Sequence, residues 1–236
     1  MNFKGIDWLL PIKPYLGIFN TIITVFLNAA PIFSFIKISK GQEEYTNIPF
    51  LMLVVNLGNN IIWGCYWIRQ DEYISFSSSF FSGFFSTAFI FWYNYFASKK
   101  TISKFLLYSI GHILIELAVI YLFLSEIFTL KTVGLIIIVI TALQYIAPAQ
   151  KLYFAIKEKN QKLIPIVSTI IGCLCSGGWT LFGLIIGDLN CTIPNGLGLI
   201  SSILTTIAWF WIKSVVKGEK KEDDEELGET LNDEEK

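Results

Sequence analysis

The sequence predicts an all-α membrane protein in which seven transmembrane helices form two parallel three-helix bundles joined by an inverting linker helix. Three observations predict it. Apolar residues make up 53% of the 236 residues and aromatics 16%, while the 16% that are charged collect between long apolar runs. Those runs are apolar on nearly every face, unlike the amphipathic stripes of a soluble protein. Four landmarks of the first half also recur in the second: Pro31 with Pro148, Pro49 with Pro165, Trp63 with Trp179 and Ser79 with Asn195, at separations of 117, 116, 116 and 116 residues. Such a duplication within apolar sequence points to matched bundles with a site between them.

Runs long enough to span about 30 Å at about 1.5 Å per residue fall near 15–36, 48–68, 73–96, 105–124, 133–153, 163–186 and 192–213. The repeat divides them three, one, three. A direct tandem copy of three helices would insert upside down, so the fourth span acts as an inverting linker. The expected units are a first repeat over 1–104, a linker helix and loop over 105–132, a second repeat over 133–213, and an acidic tail over 214–236 that is expected to stay unfolded for want of apolar residues. No cleavable signal is read in residues 1–14, so the first span is expected to serve as its own insertion signal.

Basic residues mark one side of the membrane. Lys37, Lys40, Lys99, Lys100, Lys104, Lys151, Lys157, Lys159, Lys162, Lys213, Lys217, Lys220 and Lys221 fall on it, against Lys4, Lys13, Arg69 and Lys131 opposite. The positive-inside rule therefore puts the N-terminus outside or in a lumen and the C-terminus in the cytosol. The plasma membrane is the expected location, with an organelle membrane as the alternative. A net charge of −1, with lysines at membrane edges, argues against a nucleic-acid partner. Cys65, Cys173, Cys175 and Cys191 read as packing residues; no metal or disulfide framework is expected. The sequence also offers a glycosylation pattern at Asn190-Cys191-Thr192 and, in the linker span, His112 and Glu116 one turn apart on one face.

Each repeat carries a proline in its first span and another at the start of its second. Proline lacks the N–H that continues a helix, so Pro31, Pro49, Pro148 and Pro165 read as paired hinges towards the cytosolic side. Each repeat then supplies a flat aromatic face, Trp63 or Trp179, and a polar group, Ser79 or Asn195. Stacking faces with donors and acceptors between them suit a ring-shaped polyhydroxyl solute such as a sugar.

These residues resemble the SWEET (MtN3/saliva) sugar transporters, most specifically over Asn28 to Lys37, Thr46 to Trp67 and Ala147 to Gly198, with Ile193-Pro194-Asn195-Gly196-Leu197-Gly198 close to the family's last-helix motif. That family is itself a known example of parallel repeats. The resemblance implies bidirectional, facilitative uniport of mono- or disaccharides by alternating access, with no cofactor and no enzymatic step, in a protein surrounded by lipid and assembled as a homo-oligomer. It makes the four prolines a gate and Trp63 and Trp179 a sandwich for the sugar. It makes Asn195 one of two sugar-binding asparagines, the other being replaced by Ser79, or by Phe80 if the register slips by one. It adds Leu27, Asn59, Gln144 and Cys175 to the pocket. The alternatives are a proton-coupled amino-acid transporter of the PQ-loop type, for which Pro148-Ala149-Gln150 is a poor match, and a seven-helix receptor, which has no need of matched prolines.

Overall fold

The helix breaks within the first span of each repeat follow from the same missing donor. In the computed structural model, which describes residues 5–99 and 101–234, helix α1 (Lys13–Ala29) is separated from α2 (Ile32–Ser39) at Ala30-Pro31. Pro31 cannot donate to the Leu27 carbonyl, and Ala30 N–H takes that acceptor instead in a tighter turn at 3.3 Å. The second repeat breaks at Tyr145, between α6 (Leu130–Gln144) and α7 (Ile146–Lys157). Pro148 has no N–H for the Gln144 carbonyl, and Tyr145 N–H turns back to Ala142 O at 3.1 Å. The fifth expected span is thus two helices and not one continuous run. Among the described residues, six helical stretches are long and apolar enough to cross a membrane, and α6 is a shorter apolar helix. The Pro148 side chain lies outside the described residues.

The remaining helices are α3 (Phe50–Ile68), α4 (Tyr73–Ala97), α5 (Ile102–Leu124), α8 (Ile166–Ile186) and α9 (Leu189–Glu234). Pro49 and Pro165 each stand in non-helical backbone immediately before α3 and α8, where a missing N–H interrupts no helix. The apolar part of α9 ends at Val216, but the helix continues to Glu234 through the segment whose composition predicts an unfolded tail. Its Lys, Glu and Leu residues favour helix locally.

Packing repeats the duplication in space. In the first repeat α4 lies between α1 and α3; in the second, α9 lies between α6 and α8. The repeats then meet by exchange of equivalent pairs, α1 against α8 and α3 against α6. Helix α5 packs on α3 and α4 of the first repeat, and its other faces present the apolar side chains of Leu107, Leu114, Leu117 and Tyr121 outward. One apolar core joins the repeats through Trp63, Tyr66, Trp67, Val133, Ile137, Trp179 and Phe182. A second, around Phe35, Leu53, Leu57 and Phe89, holds the first repeat together near its prolines, where the Phe35 and Phe89 rings stack at 5.0 Å.

The α1–α8 contact depends on Gly178. Asn20 of α1 is completely buried, and a Cβ at Gly178 would fall on its side-chain amide. Gly178→Ala is therefore expected to destabilise the protein by about 1–3 kcal/mol through overpacking. Neither amide atom of Asn20 has a partner among the described residues, so Asn20→Ala should restore much of the loss. Thermal unfolding of the two single variants and the double variant in detergent checks this; additive losses would remove the proposed contact.

Candidate functional site

A cavity of about 210 Å³ lies where the repeats meet. Seven of the residues that sequence and resemblance single out line it: Asn59 and Trp63 from α3, Ser79 from α4, Gln144 from α6, Cys175 and Trp179 from α8, and Asn195 from α9. The eighth, Leu27, is not on the lining; Thr24 and Asn28, one turn apart on α1, occupy the face that is. Leu27 precedes Asn28 by one residue, about 100° round the helix.

The aromatic wall is larger than a pair. Trp67 stacks on Trp63 with ring centroids 5.2 Å apart and on Trp179 at 6.0 Å, the planes inclined by 22° and 24°. A ladder of three indoles thus closes the cavity towards the N-terminal end of the bundle, braced by the Phe182 ring edge-on to Trp179 at 5.5 Å. Trp179 Nε1–H donates to Thr24 Oγ1 at 2.8 Å, which ties the wall of one repeat to the first helix of the other.

The polar side is built from amides. Asn56 Nδ2 donates to Asn28 Oδ1 at 2.9 Å and to Ser86 Oγ at 3.0 Å; Thr141 Oγ1 donates to Asn59 Oδ1 at 3.1 Å; Asn195 Nδ2 donates to the Cys191 carbonyl at 2.8 Å. These bonds fix the side chains while leaving Asn59 Nδ2, Asn195 Oδ1 and the Gln144 amide without an internal partner among the described residues. The cavity can therefore offer both donors and acceptors to a bound solute.

The two candidates for the fourth landmark point to different places. Ser79 is buried in the lining, whereas Phe80 is 57% exposed and turned to the outside. A constant offset of 116 residues thus pairs Ser79 with Asn195. Ser79→Asn should place an amide on this wall and change sugar affinity or selectivity by at least about threefold, within the range of one added hydrogen bond. Competition by different sugars against a labelled one checks it, and an unaltered profile would remove Ser79 from the contact surface.

Several lining residues escape the landmark reading, among them Thr24, Asn28, Asn60, Trp67 and Ser176. The offset does carry a signal for four of them: at 117, its value in the first span, it pairs Thr24 with Thr141 and Asn28 with Tyr145, and at 116 it pairs Asn60 with Ser176, all residues with polar side-chain atoms in apolar runs. Trp67 has no such signal because its repeat partner is Gly183; only its position one turn beyond Trp63 points to it.

The two ends of the cavity differ. Towards the N-terminal end, Tyr66 Oη donates to Asp188 Oδ2 at 2.7 Å and accepts from Asn190 Nδ2 and Gln70 Nε2, each at 3.0 Å. Asn190 N–H also donates to Asp188 Oδ1 at 2.9 Å. Asp188 is 2% exposed and Tyr66 0%, so a carboxyl and a phenol are locked together between the repeats. A Cβ at Gly134 would collide with the Asn190 side chain, so glycine there is what admits the lock. Arg69 donates to the carbonyls of Phe123 and Phe128 and ties the end of α3 to the loop before α6. Asn190 is buried in this network, which leaves its amide unavailable as a glycosylation acceptor in this state.

At the opposite end Pro49 and Pro165 are exposed and Pro31 is half-buried. Tyr145, at the helix break, lines both the central cavity and a second cavity of about 330 Å³ that reaches Pro165. Its hydroxyl donates to the Pro194 carbonyl at 3.2 Å. His112 and Glu116 do not join: His112 lies edge-on to Phe50 at 5.5 Å, while Glu116 lines a different crevice. No hydrogen bond links them among the described residues.

Comparison with known proteins agrees with this architecture. The family described as "Sugar efflux transporter for intercellular exchange" matches residues 131–215, the second repeat. Over 212 residues the chain is 27% identical to bidirectional sugar transporter SWEET1 of Arabidopsis thaliana, covering 88% of this chain and 85% of that one. It is 23% identical over 189 residues to sugar transporter SWEET1 of Danio rerio, covering 77% and 84%. The fold is similar to the solved structure of a eukaryotic SWEET transporter, with a TM-score of 0.70 at 20% identity over 86% of this chain and 98% of that one. A second-repeat match, relatives aligned over most of their length and a shared helical fold together make this chain similar to the SWEET (MtN3/saliva) sugar transporters.

Proposed function

We propose that this chain is a bidirectional facilitative sugar transporter, a uniporter for mono- or disaccharides that works by alternating access. The observation that carries the reading is the inter-repeat cavity, where stacked indoles face fixed amides. A pyranose ring has apolar C–H faces and a rim of hydroxyls. The indoles match the faces, and Asn59, Gln144 and Asn195 match the rim. Among its described residues the lining has neither a carboxylate nor an imidazole, which favours sugar uniport over proton-coupled amino-acid transport. A hydrogen bond contributes about 0.5–1.5 kcal/mol net, so a few of them with one stacking face give weak, readily released binding. A uniporter needs that weakness at both ends of its cycle.

The differing ends supply the access steps. The Tyr66–Asp188–Asn190 lock and the indole ladder shut one end. The helix breaks at Ala30-Pro31 and Tyr145 lie near the other, where a change in bend would open or close the way past Tyr145. With the N-terminus outside, the locked end is extracellular and the prolines face the cytosol. On this reading the unit is a homo-oligomer in the plasma membrane, with α5 as the inverting linker.

Equilibrium binding of labelled glucose and of labelled sucrose to the purified protein tests the site. Saturable binding that Asn195→Ala weakens about tenfold, as expected for loss of a contact of about 1.4 kcal/mol, is the expected result. Absence of saturable binding for both sugars would contradict it.

A further inference from the structure

Outside the sugar cavity, a crevice of about 390 Å³ opens between α3, α4 and α5. Its wall is apolar. Phe76, Phe80 and Phe84 stand one turn apart along α4, facing Ile120 and Leu124 of α5, and Phe80 and Phe84 are largely exposed at its bilayer side. Into this apolar space projects Glu116, the one charged residue among the described lining. Thr87 shares the lining with it, and Glu116 Oε1 is buried without a hydrogen-bond partner among the described residues. A carboxyl held in a membrane span is costly and calls for a counter-group. None faces it among the described residues: His112 lies against Phe50 in another cavity, and Arg69 is engaged by the Phe123 and Phe128 carbonyls.

We infer that this crevice binds an apolar amine from the bilayer, with its ammonium on Glu116 and Thr87 and its hydrocarbon along Phe76, Phe80 and Phe84. The chemistry selects a cation twice over. The Glu116 carboxyl on the crevice lining takes an N–H of an ammonium, and phenyl faces attract the same charge where water is excluded. A neutral alcohol satisfies only the hydrogen bond, and a carboxylate is repelled. The size suits one ligand of drug-like or single-chain dimensions. Asn60 and Ser79 line both this crevice and the sugar cavity, so the occupant abuts the wall of the transport site.

The test is equilibrium binding of radiolabelled dodecylamine to the full chain in nanodiscs, with no sugar present, corrected for empty nanodiscs. Its outcome is therefore independent of whether the protein moves sugar. The expected result is a saturable component displaced by unlabelled dodecylamine but not by equal dodecanol or dodecanoate. Glu116→Gln should weaken it at least about tenfold, since it removes the charge and keeps the shape. Gly83→Leu provides a second variant with Glu116 intact: a Cβ at Gly83 meets only Asn60 Cβ at 3.8 Å, an ordinary contact, and the longer side chain fills the crevice. It too should weaken binding. Absence of a saturable component, equal displacement by dodecanol, or unchanged affinity in either folded variant would overturn the assignment.

Discussion

Trp179→Ala is expected to reduce sugar flux by about 100-fold or more while the protein still reaches its membrane. The indole serves the site in three ways: it lines the cavity, stacks on Trp67 and donates to Thr24 across the repeat interface. Loss of the stacking face and of the order it imposes amounts to about 2–3 kcal/mol, or about 30- to 150-fold, on binding. Truncating a buried Trp also costs about 3–5 kcal/mol of stability, so Trp179→Phe is the necessary companion. Phenylalanine keeps an aromatic face and loses the bond to Thr24, and its flux should fall about tenfold with little change in thermal unfolding. Flux measured per folded transporter at the membrane separates the two effects. Wild-type flux in both variants would mean the indole wall is not the sugar's.

The second large effect is expected at the lock. Tyr66→Phe removes the short hydrogen bond to Asp188 and leaves a buried carboxyl with one donor fewer. A hydrogen bond to a charged group contributes about 1.5–3 kcal/mol, enough to move an open–closed equilibrium by about 10- to 150-fold. Cys191 reports the change, because it is 0% exposed and adjoins Asn190. With Cys65, Cys173 and Cys175 replaced, a membrane-impermeant thiol reagent should modify Cys191 at least about tenfold faster in Tyr66→Phe than in the parent, in line with that shift. Net sugar flux should fall in the same variant, since a transporter that cannot close one end cannot complete its cycle. Unchanged labelling would show that Tyr66 and Asp188 do not hold the end shut.

Much of this architecture is legible in the chain because duplication turns single residues into pairs. The lysines and apolar runs mark the spans, the offset of 116 divides them three, one, three, and the observed exchange of α1–α8 and α3–α6 contacts follows that division. Seven lining residues were legible for the same reason, or through the family motif. What stays hidden depends on distances between helices. Tyr66, Asp188 and Asn190 form the lock, yet Tyr66 lies 122 residues from Asp188 and 124 from Asn190, and nothing in either sequence stretch marks the other. The break at Tyr145 was masked because the run 133–153 is apolar throughout and the missing donor acts one turn upstream of Pro148. The resemblance points to Leu27, and only the rotation of α1 shows that Thr24 and Asn28 hold the face on the cavity.

Uptake of labelled glucose and sucrose by proteoliposomes, without any ion gradient and over a range of pH, tests the central claim most directly. The expected result is saturable flux of at least one sugar down its own gradient, equal in either direction when the gradient is reversed, and accelerated by unlabelled sugar on the far side. Absence of flux for both sugars, or flux of an amino acid driven only by a proton gradient, would contradict it.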